Sequence, residues 1–340
     1  MAADQLIPRD SAAYLEFARL YRAARSLRPS AVDRWNGDLY ATDSELWGGF
    51  QAKSGDIRVS KHVVLQQLKG SAGPIDPAGQ AEALATVLHE ATHAGMWIDA
   101  PDELNAVRTT HSQNLMEGLA EARALQDFRA FAARTGYRNL SLPQPKYPGA
   151  YAAAESLITQ ATGPSKTRGA LFDVITEGPA VMHFDQLADA VLRNRLGDVV
   201  PFRPAEREQV RATLIHAMRH DLWQTIAGRP ASAGEALGNE IRQHLNAKID
   251  EIRQHYAPGQ NRPFPAESPN QLAVRTARTE KPEAAATTSA QAGTSAASEM
   301  RFLTGLAPAT GATKSAPLLG QGERGAGGKH HRSTGVRELD

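Results

Sequence analysis

Two histidines four residues apart, with a glutamate directly after the first, are the side chains of this sequence best placed to do chemistry: His89-Glu90-Ala91-Thr92-His93. On a helix the two imidazoles project from one face about one turn apart, so both can bind a single zinc ion. Glu90 then reaches a water at the metal, an arrangement suited to metal-assisted hydrolysis. Composition alone would produce this word only about 0.02 times in the chain, so its surroundings become worth reading. Downstream, Glu117 and Glu121 are again four apart. One helix can turn both carboxylates to the same side, the first as a third zinc ligand and the second behind it.

Two helices must carry these groups. Asp76-Pro77 supplies an N-cap followed by proline at the first helical position. Ala81, Leu84, Val87, Leu88, Ala91 and Gly95 continue an apolar stripe at helical spacing, with His89 and His93 on a neighbouring face. The pattern predicts a helix over 77–98, broken by Pro101 within the polar stretch from Asp99 to Asn105. A second helix is predicted from Asn114 onward, through Ala122, Leu125, Phe128, Phe131 and Ala132.

Over roughly residues 55 to 135 the chain resembles the gluzincin branch of zinc metallopeptidases, in which an H-E-x-x-H helix is followed by a helix bearing a glutamate ligand in an E-x-x-x-D/E pattern. The resemblance implies His89, His93 and Glu117 as ligands, Glu90 as general base, and Glu121 as a carboxylate hydrogen-bonded to a ligand histidine. Glu121 departs from the Asp more frequent there, and no Gly-x-x-His follows His93 at metzincin spacing. In the peptidases it resembles, a strand precedes the metal helix and pairs its exposed edge with substrate. Gly55 to Ser60 alternates like a short strand, with Ser60 able to cap a helix through Leu68. Ile57–Ser60 is the candidate edge; an ordinary strand beneath the helices is the alternative.

Hydrolysis also needs a donor for the oxyanion that forms when water attacks, commonly Tyr or His in such enzymes. Tyr151 ranks first and His111 second, with Tyr147 and His183 also downstream of the motif. His216 and His220 share helical spacing too, but lie on an arginine-flanked helix and read as a solvated face.

The expected fold class is mainly α, α+β: a zincin-like core with a short β-sheet and the H-E-x-x-H helix, followed by further helices. Tyr14, Phe17, Leu20, Tyr21 and Leu27 mark an N-terminal amphipathic helix, and Val181, Leu187, Val191 and Leu192 another. Val210, Leu214, Met218 and Leu222, then Ile241, Leu245, Ile249 and Ile252, predict a hairpin broken near Gly228-Arg229-Pro230. Residues 1–135 form the expected peptidase core and 136–256 a helical part completing or capping the cleft. Residues 257–340, rich in Ala, Gly, Pro and Ser, read as a disordered tail, with Met300 to Leu306 as its apolar cluster and a possible partner-binding or self-inhibiting element.

A net charge of +1 and basic residues without interleaved aromatics argue against nucleic acid as partner. No apolar run of about 20 residues and no basic-then-apolar leader argue against a membrane and for a cytoplasmic protein, leaderless export being the other route. With no cysteine there is neither a disulfide nor a thiolate ligand. The expected activity is zinc-dependent hydrolysis of a peptide or protein. The alternatives are a non-catalytic interaction protein with a structural zinc site and a toxin or effector metalloprotease.

Overall fold

The computed structural model describes residues 4–43, 47–70, 76–257 and Phe264. The tail expectations, including Met300 to Leu306, lie outside the described residues. Among those described the chain is mainly helical with one small mixed sheet.

Four short strands make the sheet: β1 (Gln5–Leu6), β2 (Leu39–Thr42), β3 (Gly48–Phe50) and β4 (Ile57–Ser60), in the order β1-β2-β4-β3. β2 and β4 run parallel; the β1–β2 and β3–β4 pairs are antiparallel. The expected strand at Ile57–Ser60 therefore exists, but it is not an edge: its two sides are taken by β2 and β3, and the outer position beside it belongs to β3. Burial explains this, since Ile57 and Val59 have no polar alternative to the core. Ser60 caps no regular helix. Turns and a short 3₁₀ segment, Leu65–Gln67, follow it.

The predicted metal helix is α2 (Pro77–Ala94), after α1 (Ala12–Leu27). The Asp76 carboxylate accepts from the Ala78 and Gly79 amides at 3.3 and 2.9 Å, as its N-cap position requires. α2 ends four residues before the predicted end, at Gly95, where the Arg25 guanidinium occupies the space a side chain would need. Beyond it, Trp97 leaves the helical ladder to bond Glu177 and Ala180. The second predicted helix, α3 (Thr110–Thr135), starts four residues early, with Thr109 as N-cap, which takes His111 into its first turn.

Five helices follow: α4 (Pro148–Ala161), α5 (Arg168–Glu177), α6 (His183–Val191), α7 (Pro204–Met218) and α8 (Ala231–His255). α7 and α8 are the predicted hairpin. Leu222 falls outside α7, in a 3₁₀ turn.

The apolar side chains gather into two clusters. One joins α1, the sheet and α2 to Ala124, Phe128, Phe131 and Ala132 of α3. The other joins Leu115, Leu119 and Ala122 of α3 to the helices that follow. α3 thus serves both, and Glu117 and Glu121 lie on the part of it shared with the second cluster.

Gly118, between those glutamates in sequence, lets α4 come close. A methyl group there would run onto the Ala150 carbonyl and within 2.9 Å of the Ala154 Cβ. Gly118→Ala should therefore lower stability by about 1–2 kcal/mol, the strain exceeding the gain in helix propensity. Gly169, in the first turn of α5, has nothing within 4 Å of that point, so Gly169→Ala should raise stability by about 0.5–1 kcal/mol. Denaturant unfolding of the two variants beside wild type checks the opposite signs.

Candidate metal centre

Helical spacing puts His89 and His93 on one face of α2 and Glu117 and Glu121 on one face of α3, and packing of α2 against α3 brings the faces together. His89 Nε2 lies 3.1 Å from Glu117 Oε2 and 2.9 Å from His93 Nε2, and His93 Nε2 lies 3.4 Å from the same Glu117 oxygen. Three donor atoms therefore face one point. Ligand atoms about 2.0–2.1 Å from a tetrahedral ion would stand about 3.3 Å from one another, so this spacing suits a metal such as zinc. The triad is buried and can hold a metal ion.

Glu121 lies behind it. Its Oε2 is 3.1 Å from His89 Nδ1, and its Oε1 accepts the main-chain N–H of Lys146 at 3.0 Å. A carboxylate anchored in this way holds the imidazole with Nε2 toward the triad. The longer Glu side chain spans from α3 to both partners.

His89, Glu90, His93, Glu117 and Glu121 are each at most 5% exposed, so each charge must be answered by another. Burial lowers the His89 pKa, but its bonds to Glu117 and Glu121 outweigh burial and hold it well above the usual histidine value. Burial raises that of Glu117; the charges and hydrogen bonds of His93 and His89 carry it below the ordinary carboxylate range. For Glu90 burial wins. Its pKa is raised to about 7, with the charges of His89 and His93 and the Phe50 main-chain amide opposing. Glu90 Oε2 has no hydrogen-bond partner.

A cavity of about 10 Å³, room for about one water, touches the site and is lined by His89, Glu90, Glu121, Trp47, Ala85, Thr86 and Lys146. Lys146 and Trp47 close it. The Lys146 ammonium sits 3.4 Å from the Trp47 ring centroid and pairs with Glu82. No local pattern marks these residues in the sequence, because Trp47 and Lys146 belong to segments outside the helices.

The candidate oxyanion donors sit on different elements, Tyr151 on α4 and His111 in the first turn of α3. Tyr151 is half-buried on α4, with burial and the Glu155 charge raising its pKa. His111 bonds Thr109 Oγ1 at 2.9 Å, and burial, with Arg219 nearby, lowers its pKa to about 4. Neither lines the cavity. Tyr147 stands closer, its ring 5.8 Å from that of His89, and its pKa is pushed well up by burial and then by Glu117, Glu90 and Glu121. The sequence signal for it is faint: a tyrosine directly before Pro148, where α4 begins. His216 is exposed on α7, whereas His220 lies past its end and pairs with Glu240 at 2.9 Å, so the expected shared face does not form.

No protein family, curated protein or solved structure matches the chain. The likeness to gluzincins therefore stands on the motif residues themselves. Among the described residues, no helix is long and apolar enough to cross a membrane.

Glu90 makes the stability of the metal-free protein depend on pH. Between the ordinary value of 4.5 and about 7 the folded protein holds a proton there that the unfolded chain has released. That contribution is complete below about 4.5 and declines as pH rises through about 7. In chelator-treated protein, Glu90→Gln should gain about 3 kcal/mol over wild type on going from pH 4.5 to pH 8. Denaturant melts at the two pH values measure the difference.

Proposed function

We propose that the protein is a zinc-dependent peptidase, hydrolysing peptide bonds with Glu90 as general base. The observation that carries this reading is the placement of Glu90: a buried carboxylate with one free oxygen, next in sequence to the donor His89 and lining with it a water-sized cavity. A structural metal site has no use for such a group. Zinc held by the triad would act as a Lewis acid on water and on the scissile carbonyl.

The chain's own groups move the protons. Glu90 takes a proton from the attacking water as the new C–O bond forms, then delivers it to the amine nitrogen as the C–N bond breaks. The Tyr147 ring lies 5.8 Å from that of His89, and its hydroxyl serves as donor to the developing oxyanion. Glu121 keeps His89 oriented throughout. β3 is an edge of the sheet and passes against Glu90, so an extended peptide can add to it. Trp47 and Lys146 must part to admit it.

Two measurements test this reading. Elemental analysis should find one zinc per chain, strongly reduced in His89→Ala, His93→Ala and Glu117→Ala; equal zinc in a His89→Ala/His93→Ala double variant would refute the site. Hydrolysis of a peptide library should be lost with chelator and fall by a factor on the order of 10²–10⁴ in Glu90→Gln with zinc retained. For Tyr147→Phe, kcat should fall on the order of 10²-fold with metal content unchanged. Wild-type turnover by purified Glu90→Gln would remove it from the mechanism.

A further inference from the structure

His89 has Glu121 behind it. His93 has no such partner among the described residues: its Nδ1 is buried and makes no hydrogen bond. A histidine that offers Nε2 to a metal carries its proton on Nδ1, and that N–H ordinarily donates to an outer acceptor. Among the described residues, one buried acceptor without a partner belongs to a histidine whose segment is tied to the end of α2.

His183, fully buried at the start of α6, has Nε2 2.8 Å from the Ile175 carbonyl. A carbonyl only accepts, so Nε2 bears the proton, and in the neutral ring Nδ1 is a bare acceptor. That Nδ1 is also buried without a partner. The main chain brings the two histidines into one region. His93 is in the last turn of α2, and the strand-like stretch after it is tied to the approach to α6 by Trp97 N–H to Glu177 O at 3.0 Å, Ala180 N–H to Trp97 O at 2.9 Å and Val181 N–H to Ile98 O at 3.2 Å.

We propose that His183 is the positioning residue for His93, accepting its Nδ1–H at Nδ1, directly after a small ring movement or across one water, and so fixing the tautomer and orientation with which His93 meets the metal. The inference rests on the metal-centre reading above. It gives each histidine its own outer partner, a carboxylate from α3 for His89 and a neutral imidazole from α6 for His93. The neutral partner leaves the charge of the site unchanged.

The test uses the full chain and zinc itself. Wild type, His183→Phe, which keeps a ring but offers no acceptor, and His183→Gln, which restores one, are titrated with zinc in competition with a chromogenic chelator. Zinc should bind about 10–100-fold more weakly to His183→Phe, with part of the loss recovered in His183→Gln. In wild type labelled with ¹⁵N-histidine, adding zinc should leave His93 protonated at Nδ1 and shift the unprotonated Nδ1 of His183, a readout that needs no variant to fold. One zinc per chain in wild type with equal affinity in His183→Phe, or a His183 nitrogen spectrum untouched by zinc, overturns the proposal while leaving the metal centre standing. Absence of zinc from wild type overturns both.

Discussion

The face-to-face burial of two imidazoles and two carboxylates between α2 and α3 constrains the rest of this structure. A buried carboxylate left without a partner costs several kcal/mol, so Glu117 and Glu121 are tolerable only where His89 and His93 meet them. Their short side chains require the two helices to approach closely. Buried alanines, Ala81, Ala85 and Ala91 on α2 and Ala120 and Ala124 on α3, add little bulk to either helix, while Gly118 admits α4 on the other side. Removing one partner would strand the others, which makes the cluster a single unit in stability as well as in chemistry.

Other elements are fastened to this unit one hydrogen bond at a time. Glu121 is the junction: one oxygen serves His89, the other holds the main chain at Lys146, whose side chain turns back over the cavity to Trp47 and Glu82. Trp47 in turn packs against both apolar clusters. The same contacts that orient a candidate ligand therefore also shut the entrance above it. A site so enclosed strengthens every interaction inside it, because water is not there to screen charge. Glu90 feels this strongly, its burial outweighing its favourable neighbours.

The longer-range architecture follows from α3. Its apolar residues serve two clusters in succession, so the helix that presents Glu117 and Glu121 is held on one side by the sheet and α2 and on the other by α4 and its neighbours. Function placed on such an element is precise because neither cluster can shift without moving the helix. The later helices contribute more than support: Tyr147 at the head of α4 brings its ring to 5.8 Å from that of His89 from well downstream.

Local sequence determined the parts whose information is local. The four-residue spacing of His89 with His93 and of Glu117 with Glu121, the Asp76 cap and the apolar periodicity identify two helices and one face of each, because a helix repeats every turn whatever surrounds it. The strand at Ile57–Ser60 was legible for the same reason, as alternation is a property of the strand alone. Which strand became the edge was not, since pairing order depends on partners far away in the chain. The end of α2 at Gly95 was hidden as well, because Arg25, from another helix, fills the space there. Tyr147, with its ring 5.8 Å from that of His89, and Lys146 and Trp47, which line the cavity, were brought to the site by packing alone. Side-chain type and periodicity are written along the chain, whereas distance between segments, and with it burial, charge and the identity of each outer partner, exists only once the helices have met.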